Sequence, residues 1–593
     1  MTGFRNSLAF VALLALAGMA AGQDQPSPPV ATGAPTPLGD AAAPEPTPAD
    51  QPPAADQAPV DYKPGMLSNP AQSAVTQGAL SGIVDGPPVG TLDDAHGGLG
   101  QSLWVNAPRE TIEDVLGRIP VASADPFVRD LARRVLLTAS EAPGGSAKRA
   151  LVTIRIEKLL QGGLIDDAGT IAASLHLEND PDFARVQAEA LLYAGRDKDV
   201  CGDLTATRLT APEPFWLQLR TYCFAATGDS ASAELTRAVM DQQGIADPAF
   251  DALMDNVLTA AKKPVPAIDH PTALHVYLLR KAGLPVSNAV AAKLGTAADV
   301  LSARDKRNAA PDRLAAAGRI AATGALSNAE LLGIFNAQPI AGAQLAHAQA
   351  DAAKLTYLPA QALLHRAALL ESRPPAKTDL LLAAIAAGHP GRLPQTAALQ
   401  GDVLASLKPD QTTLKGRALV ARALVLLGKD DVASAWYAGA ADGEDLQAFR
   451  ILVDLAAPNG PRDAAAQSAI AWLAANAAPQ KNPDAQAALA LGLADVLGKP
   501  LPPAARALAA TLEGMQWPGT RPAGDALRKL EESASQPGRQ GEMILRLLDI
   551  VGADGPHDLP ADLVIECVRV LAQAGLTAEA RALAVEALAM QAP

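Results

Sequence analysis

Between Phe183 and Glu234 the apolar positions fall into two stretches that superimpose at an offset of 33 residues. FARVQAEALLYAGRDKDVC begins at Phe183 and WLQLRTYCFAATGDSASAE at Trp216, so Phe183 aligns with Trp216, Val186 with Leu219, Ala190 with Cys223 and Gly195 with Gly228. Each stretch carries apolar residues at helical spacing, stops at a glycine, and continues through a polar turn into a second Ala-rich segment. Glycine suits the stop because the residue after a helix often needs a left-handed backbone. The pattern predicts helical hairpins. A repeat of two helices points to an α-solenoid, whose units bury their apolar faces against their neighbours.

The same punctuation recurs at Gly163, Gly283, Gly324, Gly388, Gly428, Gly498 and Gly575. Near Gly428, ALVARALVLLGKDDVASAWYAGAA predicts a further hairpin, and VRVLAQAGLTAEARALAVEAL (568–588) a final one. Helix starts are marked by Ser123 or Asp125 before Pro126, and by Asp180 before Pro181. A short polar residue followed by proline is a capping signal. No run of alternating β-branched residues suggests a sheet. The expected fold class is all-α: an irregular solenoid of helical hairpins, preceded by a disordered tether.

The tether follows from a break in the pattern. From Gln23 to Val60 the chain is Pro, Ala, Asp, Glu and Thr with no Lys or Arg, which predicts an extended, mobile segment. Residues 61–98 stay rich in Gly and Pro, with one short helix expected around Ala74–Ile83 and ordered structure from about Trp104. Ahead of the tether, Arg5, the apolar run Leu8–Ala17 and the small residues Ala20, Ala21 and Gly22 read as a secretory signal, cut near Ala21 or Gly22. The expected division is therefore 1–22 signal peptide, 23–98 disordered linker and 99–593 solenoid. No later stretch is long and apolar enough to span a bilayer, which predicts a periplasmic or secreted protein.

Composition narrows the partners. Hydrophobic residues make up 49% but aromatics only 3%, so helices must pack through Ala, Leu and Val at close approach. The net charge of −14 argues against a nucleic-acid groove or a polybasic membrane patch.

Candidate chemistry is sparse. Cys201 and Cys223 lie eleven residues either side of a turn centred on 212, the same height in an antiparallel helix pair. That predicts a Cys201–Cys223 disulfide in an oxidising compartment, the alternative being two separately buried thiols. Cys567 shares a helical face with Val564, Val568 and Leu571 and reads as core. His270 and His275 flank Pro271 and cannot share a helix face as zinc ligands at i and i+4 would, while His347 and His365 read as ordinary core or surface residues. No metal, cofactor or catalytic residues are assigned, and no phosphate loop, nucleophile elbow or dinucleotide fingerprint occurs. Asp166–Asp167 and Asp430–Asp431 read as helix-start carboxylates. The Arg129, Arg133, Arg134 cluster reads as a solvated face, with an acidic partner as the alternative.

Trp216, Leu219, Gly228 and Ala233 follow the order of an aromatic, a leucine, a turn glycine and a small residue that resembles tetratricopeptide-like solenoids. That resemblance implies protein binding or scaffolding. More faintly, GGLGQSLW, RDLARRVLLTAS and the cysteine region resemble exported Ala-rich proteins of alphaproteobacteria, sometimes labelled antifreeze glycopeptide polyproteins. The functional expectation is an exported, non-enzymatic scaffold that binds an unidentified protein or peptide in the cell envelope, with no nucleic acid and no membrane span. The alternative is an accessory of a cell-wall enzyme, such as the superhelical arm of a lytic transglycosylase. After Phe449 the only aromatics are Trp472 and Trp517, which leaves little for a sugar cleft.

Overall fold

The computed structural model describes residues 85–590 apart from 178–179, 203–212, 389, 412–413, 437–442, 458–462, 477–484, 515–521 and 523. The signal segment, the tether to residue 84 and the helix expected at Ala74–Ile83 lie outside them. The described residues are helical throughout; among them no strand forms, and an isolated bridge pairs Leu92 with Thr138.

Helices start and stop where short-range chemistry says they should. The first six are α1 (Arg109–Arg118), α2 (Pro126–Leu137), α3 (Leu151–Gln161), α4 (Ile165–Ala173), α5 (Pro181–Tyr193) and α6 (Asp197–Gly202). Asp125 caps α2 by accepting from the Val128 N–H at 3.0 Å, and Asp180 caps α5 by accepting from Phe183 at 2.9 Å. Each satisfies an amide that the helix cannot. At the other end, Gly195 (φ 76°) and Gly228 (φ 85°) turn left-handed. The following N–H then reaches back five residues, Arg196 to Leu191 at 2.8 Å and Asp229 to Phe224 at 2.9 Å. This closure recurs at Leu164, Leu284, Lys429, Lys499 and Leu576. Gly388 departs from the expectation: its φ is not positive, and its bare Cα instead admits Arg392 Cβ and the Tyr357 ring within 3.4 Å of where a Cβ would stand.

Consecutive helices pack as hairpins, among them α3 with α4, Pro214–Ala226 with Ser230–Gln242, Tyr357–Leu370 with Pro374–Ala386, and Ala561–Gln573 with Thr577–Met590. The solenoid is irregular at the point where its sequence looks most regular. α5 packs on α3, α4 and the distant helix Ala273–Lys281, while Pro214–Ala226 takes Ser230–Gln242 as its main neighbour. The 33-residue offset therefore marks two similar hairpins rather than a stacking period. A polar network, buried at its tyrosine end, joins them to Ala273–Lys281: the Tyr222 hydroxyl donates to Asp197 at 2.8 Å and meets the Tyr277 hydroxyl at 2.8 Å, and Lys281 Nζ donates to Asp197 at 2.7 Å.

Two expectations are corrected. The linker does not run to residue 98, and order does not wait for Trp104. Asp85 accepts from Arg109 Nη2 at 2.9 Å and from the Leu151 N–H, the first of α3, at 2.7 Å. The Thr91 and Leu92 N–H groups donate to Leu137 O, and Ala139 donates back to Leu92 O. Beneath this strap lies Arg155, buried with no carboxylate beside it. Its guanidinium donates to Leu136 O at 2.8 Å, Thr138 O at 3.0 Å and Val89 O at 2.9 Å. These carbonyls lie at and just beyond the end of α2 and in the strap, so one cation serves both. Burial pulls its pKa down to about 10, so the cation persists at neutral pH. Gly- and Pro-rich composition predicted disorder here, and specific hydrogen bonds override it.

The ends of the solenoid show an arrangement that the sequence does not predict. They meet. Asn106 N donates to Gly538 O at 3.1 Å and Gly541 N to Leu103 O at 3.0 Å. Ser123 Oγ donates to Ala553 O at 2.6 Å and Phe127 N to Glu586 Oε2 at 3.3 Å. Arg134 pairs with Glu579. Trp104 is buried and its indole N–H donates to Ser140 Oγ at 2.8 Å, while a Cβ at Gly541 would overlap its ring. Helices α1 and α2 pack on Gln540–Val551, and α2 also packs on Thr577–Met590. One apolar core consequently runs from Leu99 to Met590. An open array would leave both end faces wet; this one covers them with each other.

Candidate functional site

The seam where the ends meet opens outward into a cleft of about 830 Å³, between α1, α3, Ala526–Ala534 and Gln540–Val551. Twelve ionisable side chains line it, six acidic and six basic. Lys148 reaches Glu110 at 2.7 Å, Arg149 reaches Glu157 at 2.7 Å and Lys529 reaches Asp525 at 2.5 Å. Arg118 bridges the seam, pairing with Asp114 on its own helix and with Asp549 opposite at 3.3 Å. Lys158 is half-buried in the same wall, and burial lowers its pKa. Pairs as exposed as Lys148–Glu110 are individually weak, because solvent screens them. A partner carrying charges of both signs can replace them at small cost, and the pattern of signs then sets the register.

Elsewhere the seam buries two carboxyls, one from each end of the described chain. Burial pushes the Asp125 carboxyl up, and burial together with the neighbouring Asp125 charge pushes Glu586 well up. Two carboxylates in a low-dielectric site cannot both ionise, so a proton is retained between them. Asp125 Oδ2 is buried without a donor among the described residues, and a protonated Glu586 can supply one. The Arg129 charge acts the other way on Asp125, favouring its ionised form. A second, smaller cavity of about 210 Å³ lies beside Ala124, Pro126 and Arg129.

The residues picked from sequence are placed as follows. Cys201 and Cys223 are joined by a disulfide with Cα atoms 5.3 Å apart, within the ordinary span for a bridge; residues 203–212 of the intervening turn lie outside the described set. Cys567 is fully buried among Val564, Val568 and Leu571, and burial pushes its thiol up to about 12, which keeps it inert. Of the three arginines expected on a solvated face, Arg133 reaches Asp167 at 3.3 Å, Arg134 holds Glu579 and Gly97 O, and Arg129 lies against Gly324. They tie α2 to three different neighbours. Spacing on one helix could not reveal partners up to 445 residues away.

His275 is the histidine that sequence reading undersold. Its Nδ1 lies 3.0 Å from Thr272 Oγ1 and its Nε2 lies 3.0 Å from Asp247 Oδ2. Burial opposes ionisation of Asp247, but hydrogen bonds from His275, the Phe250 N–H and Gln218 win and hold its pKa at about 2. Hydroxyl, imidazole and carboxylate stand in the order of a catalytic relay. Nδ1 also accepts from the Thr272 backbone N–H at 3.2 Å, however, so its lone pair is engaged in capping Ala273–Lys281. None of the cavities named above touches it. The arrangement is a helix cap. Among the described residues no cluster of three His, Cys, Asp or Glu side chains has metal-holding geometry, and no helix is long and apolar enough to cross a membrane.

Comparison of the chain with family models, curated proteins and solved structures finds no match.

Proposed function

We propose that this chain is an exported, non-enzymatic α-solenoid that binds protein segments, with the charged cleft at its seam as the binding place. The observation that carries the reading is the cleft itself: about 830 Å³, flanked by four helices and lined by balanced, exchangeable ion pairs. Its size suits several residues of an extended chain, and its mixed signs suit a polypeptide better than a nucleic acid. The net charge of −14 supports the same exclusion. Export rests on residues 1–22, whose charged, apolar and small-residue order is that of a cleavable signal.

The test uses the full chain in its native cell, with a photo-crosslinking side chain at Gly117 or, as control, at Leu235. A side chain at Gly117 meets open space in the cleft, and Leu235 is exposed on a helix far from it in sequence. The expected outcome is a discrete protein adduct from position 117 that is absent from position 235. Identical adduct patterns from both positions would discard the cleft. Turnover of purified peptidoglycan by the isolated protein would put the cell-wall enzyme reading in its place.

A further inference from the structure

The charges lining the seam cleft do not close on themselves. Glu110, Asp114, Glu157, Asp525 and Asp549 pair with cations of the same wall, and Glu113 is held by the buried Arg109 at 2.7 Å. Among the cations, Arg546 is held by the buried Glu542 at 2.7 Å. Lys158 is left over. It lines the cleft, yet among the described residues it makes neither a hydrogen bond nor an ion pair. The carboxylate whose charge acts on it, Glu157, is already engaged by both terminal nitrogens of Arg149, at 3.0 and 2.7 Å.

The helix alone does not account for this lysine. A cation in the last turn of α3 is favoured by the helix dipole, but that needs no burial. An ammonium half-buried without a counter-charge of its own carries a desolvation cost, which is why its pKa falls. A carboxylate set beside it would offset that cost. A cation on the ligand gains less, because every carboxylate of the wall already has a partner that it must first displace. Lys158 also stands mid-row on its helix face, with Ile154 and Glu157 before it and Gln161 after. A chain seated there can run on in both directions, which suits a side-chain carboxylate rather than a chain end. We propose that the cleft selects an internal Asp or Glu of a protein segment, its carboxylate accepting from Lys158 Nζ while the flanking residues lie along α3. This rests on the reading of the cleft as a protein-binding site and adds what that site chooses.

The test selects random peptides, displayed on phage, against the full chain and measures the winners by fluorescence anisotropy. Enrichment of Asp or Glu over the unselected library is expected. Gly117→Trp, which fills open space in the cleft, should abolish binding of these peptides. Lys158→Met should weaken it about ten- to a hundredfold, the range of a hydrogen bond between charged groups, with the melting temperature unchanged or higher. Lys158→Glu should weaken it further and recover affinity for the peptide whose acidic residue is replaced by Lys, an exchange that a merely structural lysine would not show. Peptides lost on Gly117→Trp but indifferent to Lys158→Met, or without acidic enrichment, would overturn this proposal and leave the cleft reading standing. Peptides that ignore Gly117→Trp, or no peptides at all, would count against the cleft as a whole and take this proposal with it.

Discussion

Two regions of this molecule are held by opposite means. The Pro214–Gln242 hairpin sits at the periphery: its second helix buries only Ala233 and Met240, and Leu235 is 69% exposed. What is particular to it is local or covalent, a disulfide across 22 residues, the Asp229 cap and the turn at Gly228, while its first helix also buries Phe215, Trp216 and Tyr222 in the common core. The seam has no covalent link. It is held by Trp104 against Gly541, by backbone bonds from residues 103–127 to residues 538–586, and by a shared core. Local order can be written into a few adjacent residues, whereas closing a solenoid needs surfaces matched over most of its length.

Breaking the seam should have the largest effect. Trp104→Ala removes a buried indole and is expected to cost about 3–5 kcal/mol, read as a lower urea midpoint. If the seam matters less than the hairpin, that variant will unfold no sooner than one lacking the disulfide. Reducing the bridge, or Cys223→Ser, should cost about 3 kcal/mol through the freed 22-residue loop, seen as a drop in melting temperature on adding reductant.

A gentler probe of the seam is its carboxyl pair. Because burial raises both groups above the ordinary carboxylate range, the folded state binds the shared proton more tightly than the unfolded chain does. Their contribution is therefore fully present below about pH 4 and is lost as pH rises through the folded pKa of the pair. Glu586→Gln keeps the shape and supplies a neutral neighbour to Asp125 without the proton uptake that folding otherwise requires. It should stabilise the protein at pH 7 by about 1–3 kcal/mol and flatten that pH dependence, measured by urea unfolding from pH 4 to pH 8. A variant less stable than the parent at pH 7 would mean that both carboxylates are needed ionised. The smallest change is expected from Leu235→Ser on the exposed hairpin, within about 0.5 kcal/mol by the same measurement.

The contrast also explains what could be read in advance. Helix starts at Asp125 and Asp180 and stops at Gly195 and Gly228 were legible because the hydrogen bonds involved span three to five residues. The pairing of Cys201 with Cys223 was legible because two of the chain's three cysteines lie only 22 residues apart. The cleft was not, since Asp525, Lys529 and Asp549 come to face Glu113, Arg118 and Lys148 only through closure. Nor was the carboxyl pair: Asp125 announced itself as a cap, while nothing in the Ala-rich sequence around Glu586 marks it as buried. The strap at 85–98 was misjudged for a related reason, because its order comes from Arg109, Leu137 and Arg155 rather than from its own residues.

Closure carries a consequence for the time course of synthesis. Ser123 meets Ala553 across 430 residues, so the surface around Trp104 and α2 cannot be covered until the last helices exist. At ordinary elongation rates that interval is about 20–90 s. Throughout it a growing chain exposes apolar surface that its finished form hides, a clear mark for holding factors and a state that a translocation channel can still accept. A solenoid whose halves meet only after helices this far apart in sequence have formed stays partly open through most of its synthesis.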